Sequence, residues 1–237
     1  MRNFIVAVFC EESQTLVKAL RKVGIEAYSF DLKDCSGGHP EWHIKGDCLP
    51  YINGNCTFTT MDGKTHKVGK WDMIVAHPTC TYLTNAGARH FNIERYGDKA
   101  RQRWQDRYEA AEFFMRFINA DCDHICVENP VGWMNTSYRK PDQTIQPWWF
   151  GDMTVKRTCY WLKGLPKLER SIWEEPFDYD YYYHWVDSKG RNRREPKWYR
   201  DARCSDMVKT SELRSKSFPM VAKAMAEQWA LKLKEEN

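Results

Sequence analysis

The sequence has no long hydrophobic run, since no stretch approaches the ~20 consecutive apolar residues that a membrane-spanning helix requires. It has no CxxC pair, and its nine cysteines are an odd number without regular spacing. This excludes a disulfide scaffold and is typical of reduced thiols. The opening MRNFIVAVFCEESQ turns acidic after nine residues and lacks a small-residue cleavage site, so it predicts a β-strand and not an export signal. These absences predict a cytoplasmic protein and exclude secreted and membrane proteins.

The composition is that of a globular protein, with 42% hydrophobic and 29% charged residues. A chain of 237 residues can form one large domain, or one core with a small accessory lobe. The net charge of +4 is mild, and we find no internal repeat or low-complexity linker.

Apolar runs and helical spacing predict the elements of the first two thirds of the chain. Short apolar runs predict five β-strands, at residues 4–9, 26–30, 71–76, 124–127 and 158–162. Residues 15–23 have helical spacing, and Gly24 follows them as a helix stop. The apolar residues before the fourth strand step by three and four, which predicts one face of a long helix: Trp104, Tyr108, Ala111, Met115 and Ile118. Strands that alternate with helices indicate a parallel α/β sheet.

Such sheets bind ligands at the carboxyl ends of their strands, so the polar residues that follow the strands are the candidate site. They are Glu11, Glu12, Ser13, Asp31, Asp47, His77, Cys80, Glu128 and Asn129. Taken alone, Cys80 reads as an inert buried thiol and Glu128 as a helix cap or surface acid. On neighbouring strand ends, however, a thiol and a carboxyl can converge on one small ring.

The composition changes after Pro166. Residues 171–187 hold seven aromatics and five acids with no Lys or Arg, whereas residues 188–203 hold seven Lys or Arg and two acids. This break in the pattern predicts a small inserted lobe. A helix is predicted after it, with Ser217 as N-cap, Pro219 in the first turn, and an inward face of Val221, Ala224, Met225 and Trp229. We therefore expect a core over residues 1–165, an insertion over 166–213 and a returning helix over 214–237.

Taken in order, these motifs resemble cytosine-C5 DNA methyltransferases, particularly the short forms encoded by phages and prophages. The resemblance rests on VFCEESQT in the first loop, Asp31, Gly46-Asp47, HPTC at 77–80, ENP at 128–130, Lys156-Arg157, and SFPMVAKAMAEQW near the end. It covers most of residues 4–165 and 214–232. It implies a Rossmann-like S-adenosylmethionine-dependent methyltransferase fold with a small inserted lobe, and S-adenosylmethionine as cofactor.

The resemblance also implies roles for individual residues. Cys80 would be the nucleophile, Glu128 the general acid, Asn129 its support and Arg157 a contact to the ring O2 of the base. The implied cofactor-binding residues are Phe9, Glu11, Ser13, Asp31, Asp47 and Pro78. A thiolate that adds to C6 of cytosine makes C5 nucleophilic, and an acid at N3 shares a proton as charge develops on the ring. In a duplex the base must first be flipped out of the stack.

The chain departs from the family pattern at three places. The first loop has no glycine where the family is glycine-rich, Thr79 replaces a proline, and a longer arginine motif is reduced to Lys156-Arg157. A different shape of the first loop is expected from the first departure.

The basic run of the insertion lies where the resembled family reads its target DNA, so the resemblance implies contacts to duplex DNA there. The candidate phosphate- and base-contacting residues are Arg191, Arg193, Arg194, Lys197 and Trp198, although a charge run is more often a solvated face. Trp42 either stacks on adenine or packs in a glycine turn. The nearby His39, His43, Cys35 and Cys48 fit no common zinc spacing, so no metal is predicted.

Three other functions stay open at this stage. HPTC occupies the place of the amino-methyltransferase motif, so methylation of an amino group is one alternative. A second is a C5-modifying enzyme that acts on a free pyrimidine nucleotide, and a third is a catalytically silent nucleic-acid-binding protein. Protection from restriction and modification of a phage genome both suit the main interpretation, and the oligomeric state is not predicted.

Overall fold

The computed structural model describes residues 3–205 and 217–236, without the side chains of residues 202–205. Its centre is a seven-stranded sheet in the order β3-β2-β1-β6-β7-β9-β8. The strands are β1 (Ile5–Phe9), β2 (Glu26–Asp31), β3 (His43–Lys45), β6 (Met73–Ala76), β7 (Ile125–Pro130), β8 (Gln143–Ile145) and β9 (Thr158–Lys163). Two hairpins lie outside this sheet, β4 (Cys56–Thr59) with β5 (Thr65–Val68), and β10 (Tyr182–Val186) with β11 (Asn192–Pro196).

The predicted α/β class is confirmed, but the sheet is not wholly parallel. β3, β2, β1, β6 and β7 run parallel to one another. β9 is antiparallel to both of its neighbours, β7 and β8. All five predicted strands are present, and the sequence analysis missed β3, β8 and the two hairpins, β4–β5 and β10–β11. Those elements are short, and the exposed threonines of β4 and β5 give no apolar run to detect.

The helices are α1 (Thr15–Lys22), α2 (Ile93–Tyr96), α3 (Asp98–Ile118), α4 (Met134–Ser137), α5 (Lys197–Ser205), α6 (Pro219–Met225) and α7 (Lys232–Glu236). A π-helical segment, Ala226–Leu231, joins α6 to α7. α1 and α3 match their predicted positions, and Gly24 follows α1 with a φ of 73°, as a helix stop requires.

The predicted apolar face of α3 is wrong by one position. The buried residues of this helix are Ala100, Arg107, Ala110, Phe114 and Phe117, whereas Tyr108 is 57% exposed. The cause is Arg107, whose guanidinium lies 3.2 Å from the centre of the Phe91 ring and beside Trp133. Because the buried face of α3 includes a charged residue, a pattern that counts only apolar residues does not identify this face.

The C-terminal helix packs as predicted but is capped differently. Val221, Ala224, Met225 and Trp229 are buried, and α6 contacts α1 on one side of the sheet. The N-cap is Phe218 and not Ser217, and its side chain makes no capping bond. Instead, the Asp152 carboxylate accepts from the Met220 and Val221 amides. The cap therefore comes from a loop distant in sequence.

The inserted lobe contains β10, β11 and α5. Tyr182 is buried there and Phe177 stacks on Tyr181, whereas Tyr179, Tyr183 and Trp185 are exposed, so only part of the aromatic block packs inside the lobe. Leu168 still belongs to the hydrophobic cluster of the main sheet, so the chain leaves this core after the predicted boundary at residue 166. The predicted boundary between residues 213 and 214 lies outside the described residues.

Within the part of the chain that the structure describes, no helix has both the length and the apolar character needed to cross a membrane. None of the eight cysteines whose side chains the structure describes is part of a disulfide.

Candidate active site

The carboxyl ends of the five parallel strands gather the candidate polar residues along one edge of the sheet. Glu11 and Ser13 follow β1, Asp31 ends β2, and Asp47 follows β3. The HPTC segment follows β6, and Glu128 and Asn129 belong to the last half of β7. β6 pairs directly with β7, so the expected neighbours are adjacent.

Two hydrogen bonds connect the segment after β6 to the end of β7. His77 Nδ1 lies 3.2 Å from Glu128 Oε2, and Asn129 Nδ2 donates to the Pro78 carbonyl over 3.0 Å. Asn129 is only 1% exposed. Cys80 follows two residues later and is partly exposed, which a nucleophile requires. Its carbonyl accepts from the amides of Leu83 and Thr84, so the turn is also held on its far side.

The carboxyl of Glu128 is balanced between opposing influences. Burial disfavours its charged form, but the hydrogen bond with His77 and the positive charge of Lys156 outweigh this effect. The net result is a pKa of Glu128 below its usual value, so this carboxyl is ionised at neutral pH.

Glu11 is buried at the start of α1. It is 2% exposed, and its carboxylate accepts from the Leu16 amide at 2.6 Å and the Val17 amide at 3.3 Å. Burial raises the pKa of Glu11, while the charge of His77 acts in the opposite direction. The carboxylate thus occupies the backbone donors at which a Rossmann-type fold binds a pyrophosphate.

The first loop adopts left-handed backbone conformations without glycine. Cys10 has a φ of 59° and Gln14 a φ of 56°. Such values are uncommon for residues with a side chain, and the surrounding contacts hold them. Gln14 is fully buried and exchanges hydrogen bonds with the backbone of His39. A Cβ on Gly37 would come within 2.6 Å of Gln14, so this close approach requires glycine.

Four of the predicted cofactor residues already have local contacts or are buried. Asp31 and Asp47 each use one carboxylate oxygen on a backbone amide, of Lys33 and Leu49 respectively. Ser13 bonds to the hydroxyl of Thr15. Pro78, the second residue of the HPTC turn, is buried.

Phe9 does not reach the site through its side chain. Its ring is fully buried and packs on Phe30 and Phe117, and its carbonyl accepts from His77. The apolar run that predicts β1 also explains this outcome, because the last apolar residue of a central strand faces the core.

The structure separates the two members of the Lys156-Arg157 pair. β9 runs antiparallel to β7, with Thr158 opposite Pro130, so both cations precede β9 near the site edge. Lys156 provides the positive charge that acts on Glu128, whereas Arg157 is exposed. Lys156 is therefore the cation of this pair that acts on Glu128, and the contact of Arg157 with the ring O2 stays a prediction.

The Trp42 side chain packs against neighbouring side chains of the protein. Its ring stacks on His39 with centroids 3.8 Å apart, and the Arg21 guanidinium covers it at 5.0 Å. His43 bonds to Ser29 and to the Lys33 carbonyl. Across residues 3–205 and 217–236, no three metal-ligating side chains converge.

Several of the basic residues proposed for DNA contact have partners within the lobe. Arg191 and Arg193 both bind Asp187, and Arg194 binds Glu175. The arginine side chains are 44–57% exposed, whereas Asp187 is only 18% exposed. A phosphate can reach the arginines but must compete with these ion pairs. Lys197 is exposed, and Trp198 is half-buried with its indole N–H bonded to the Tyr181 hydroxyl.

A cavity of about 410 Å³ beyond the HPTC turn was missed by the sequence analysis. Aromatic, cationic and polar side chains line it: Tyr82, His90, Tyr96, Lys99, Gln102, Arg103 and Asp106. The Arg103 guanidinium lies over the Tyr82 and Phe91 rings. Arginines four residues apart on α3, at 103 and 107, are the signal that could have pointed to this region.

A scan against models of known protein families matches none of them, and a search of curated proteins finds no match either. Function is therefore inferred from the geometry of the site.

Proposed function

We propose that this protein is a DNA methyltransferase that acts on C5 of cytosine, with Cys80 as nucleophile and Glu128 as the group that serves N3 of the base. The observation that carries the proposal is the bond from Asn129 to the Pro78 carbonyl. It holds the turn that bears Cys80 at the end of the strand that bears Glu128. A thiol and an acid so placed on adjacent strands can reach two atoms of one pyrimidine ring.

The sheet supports the assignment of a Rossmann-like methyltransferase fold. Among the sheet strands, the first five run parallel in the order three, two, one, four, five, which is a Rossmann order. The chain order reverses between β1 and β6, and ligands of open α/β sheets bind at such a point. The candidate residues lie on both sides of it.

The residues perform the chemistry as follows. The Cys80 thiolate adds to C6, the electrons of the C5–C6 double bond move towards N3, and N3 takes a proton through Glu128. C5 becomes nucleophilic and would take the methyl group that S-adenosylmethionine supplies. The C5 proton then passes to solvent water as the Cys80–C6 bond breaks, and the sulfur leaves as a thiolate. Lys156 and Arg157 supply positive charge near the ring at the stage when the ring is most electron-rich.

The first loop fits a cofactor that is positive at its reactive end. S-adenosylmethionine supplies the methyl group from a cationic sulfonium. Because Glu11 fills the amides at the start of α1, that position is closed to a pyrophosphate but tolerates a cation. Asp31 at the end of β2 would take the ribose hydroxyls, and Asp47 after β3 would accept from the adenine amino group.

Methylation of an amino group is less compatible with these contacts. That reaction needs acceptors at the HPTC turn to orient the amino hydrogens. The Pro78 carbonyl already accepts from Asn129, and His77 already pairs with Glu128. The C5 reaction uses these same contacts instead of competing with them.

The cavity beyond the HPTC turn and the lobe suit a nucleic-acid substrate. Lys99 and Arg103 can meet phosphates, and Tyr82 and Tyr96 offer aromatic faces. On β10, Tyr183 and Trp185 stack on each other and are both partly exposed. We therefore assign DNA as the substrate and place the flipped cytosine between Cys80 and Glu128.

The test is covalent trapping with duplex DNA that carries 5-fluorocytosine, in the presence of S-adenosylmethionine. Fluorine at C5 cannot leave as a proton, so the Cys80–C6 adduct persists and shifts the protein band on a denaturing gel. Cys80→Ser should abolish the band. Cys56→Ser, at a partly exposed thiol of the β4–β5 hairpin, should retain it.

Other outcomes would assign other functions. Transfer of methyl groups without any adduct, undiminished in Cys80→Ser, would support amino methylation. An adduct with free 5-fluorodeoxycytidine monophosphate but not with DNA would identify a nucleotide-modifying enzyme. Salt-sensitive DNA binding without any binding of S-adenosylmethionine would identify a silent binding protein.

A further inference from the structure

His77 interacts with two carboxyl groups, one on β7 and one in the loop after β1. Its Nδ1 pairs with Glu128 on β7 at 3.2 Å, and its charge also acts on Glu11 in the loop after β1. His77 and Glu128 are each only 19% exposed at the side chain. A positive imidazolium at this position would stabilise both carboxylates at once.

The second ring nitrogen of His77 is not fixed. Nε2 is buried and has no hydrogen-bond partner among the residues that the structure describes. The protonation state of a histidine is set by the bonds of its two nitrogens. A ring held on one side only can therefore gain and lose a proton without breaking a second bond.

The other groups around Glu128 are poorly suited to supply a proton. Burial raises the pKa of Cys126 and of Tyr160 well above their ordinary values, so both keep their protons. Lys156 acts on Glu128 through its charge, and Lys18 faces Glu11. Glu128 itself is ionised, although the proposed reaction needs a proton at N3 of the base.

We propose that His77 is the residue that positions Glu128 and supplies the proton that Glu128 passes to N3 of the cytosine. This inference rests on the proposed function. It assigns the proton source of the site to a residue that the sequence analysis left without a role.

The proton that N3 takes comes from His77 through Glu128, whereas the protons of the Cys80 thiol and of C5 go to solvent water. The proposed step starts from a His77 imidazolium, a Glu128 carboxylate and a Cys80 thiolate whose own proton has passed to solvent water. As the sulfur–C6 bond forms and the ring electrons move to N3, Glu128 receives a proton from His77 and passes it to N3. His77 becomes neutral and Glu128 remains a carboxylate. When the sulfur–C6 bond breaks, the N3 proton returns by the same route.

The test uses the variant His77→Asn, which keeps an amide donor towards Glu128 but cannot release a proton. The readout is the release of tritium from C5 of cytosine in duplex DNA of mixed sequence, without S-adenosylmethionine. Addition of Cys80 to C6 allows C5 to exchange with water, so this measures addition and proton supply separately from methyl transfer. Rates are measured from about pH 5.5 to about pH 8.5 for wild type and variant, with folding checked by thermal unfolding.

We expect the variant to exchange about 100-fold more slowly than wild type at about pH 8, which is the contribution of a positioned acid. The gap should close as the pH falls, by up to about tenfold per pH unit. Without His77, burial raises the pKa of Glu128, which then carries its own proton only in acid. Glu11→Gln, which removes one of the two negative charges beside His77, should show the same trend with a smaller loss. It serves as the second variant if His77→Asn does not fold.

The outcomes separate the two claims. Parallel pH profiles with a constant ratio would show that His77 acts only as a structural residue, and would overturn the inference while the proposed function stands. Equal rates would do the same. If wild type neither releases tritium nor traps 5-fluorocytosine, the proposed function fails and the role of His77 fails with it.

Discussion

Replacing Asn129 with aspartate tests the contact that joins the two halves of the candidate site. The Asn129 amide donates to the Pro78 carbonyl at 3.0 Å. Its other polar atom, Oδ1, is buried with no partner in the described part of the chain. Asn129→Asp keeps the shape of the side chain but turns the donor into an oxygen, which faces the carbonyl of Pro78.

The expected destabilisation has two parts. A buried carbonyl that loses its donor costs about 1–3 kcal/mol. Burial also raises the pKa of a carboxyl at this position, and each unit of that shift is worth about 1.4 kcal/mol. With a shift of only about two units, the free energy of unfolding at neutral pH should fall by about 4–6 kcal/mol. That is a large part of the stability of a typical domain.

The sign of the pH dependence follows from the direction of the shift. A carboxyl with a raised pKa in the folded state carries no charge penalty below the unfolded value of about 3.9. The penalty grows as the pH rises from there to the folded pKa and is constant above it. At low pH the protonated carboxyl can also donate to Pro78, so the deficit should be smallest in acid.

Urea unfolding of wild type and Asn129→Asp at about pH 4 and about pH 7.5 measures this difference. Asn92→Asp is the matched control. Asn92 is exposed and caps α2 through the Arg95 amide at 2.8 Å. Because aspartate caps as well as asparagine, its unfolding free energy should change by less than about 0.5 kcal/mol.

The reasoning is refuted if Asn129→Asp matches wild type within about 0.5 kcal/mol at neutral pH. It is refuted equally if the deficit is the same at both pH values. Where the variant still folds, trapping of 5-fluorocytosine should drop by about 100-fold, because small displacements of a reacting group have effects of that size.

Three further variants test other parts of the structure. The stability of Glu11→Gln relative to wild type should rise between about pH 4 and about pH 8. Burial raises the pKa of Glu11, so the wild type loses stability as this carboxyl ionises with rising pH. Thermal unfolding of both proteins at the two pH values measures this, and a difference that does not change with pH would contradict it. Asp152→Ala should lower the unfolding free energy by about 0.5–2 kcal/mol in urea, since it uncaps α6; an unchanged midpoint would show that the cap is not needed. If Lys197 contacts a phosphate, Lys197→Ala should reduce the slope of log affinity for DNA against log salt concentration by about 0.9. The control Lys67→Ala, on β5, should leave this slope unchanged. Equal slopes in the two variants would show that Lys197 does not contact the DNA.

Much of the fold was predictable because the signals are local. The run WDMIVA forms β6 and HICVENP contains β7, and apolar strands of this kind can be recognised from a few consecutive residues. The placement of Cys80 and Glu128 on neighbouring strand ends follows from those two runs and a parallel pairing. The antiparallel direction of β9 could not be read in this way, since the same apolar run fits either orientation.

The missed features of the site depend on single long-range contacts. Glu11 was selected as a cofactor residue, but its carboxylate bonds to α1 in the structure. Arg157 was predicted to contact the base, which stays a prediction, and the charge of Lys156 on Glu128 was not foreseen. Neighbouring residues of the same charge cannot be distinguished by sequence when only the path of the chain decides which one faces the site.

By itself, the sequence determined the α/β class, the positions of the predicted strands and the edge at which the polar residues gather. These properties come from the order of apolar runs, turns and helical spacing, which each segment encodes alone. Only the tertiary structure decided that Arg107 belongs to the buried face of α3, that Asp152 caps α6, and that Asn129 donates a hydrogen bond to the Pro78 carbonyl. Each of these depends on groups from distant parts of the chain meeting in a buried space, where an unpaired polar atom is costly and a paired one fixes the geometry.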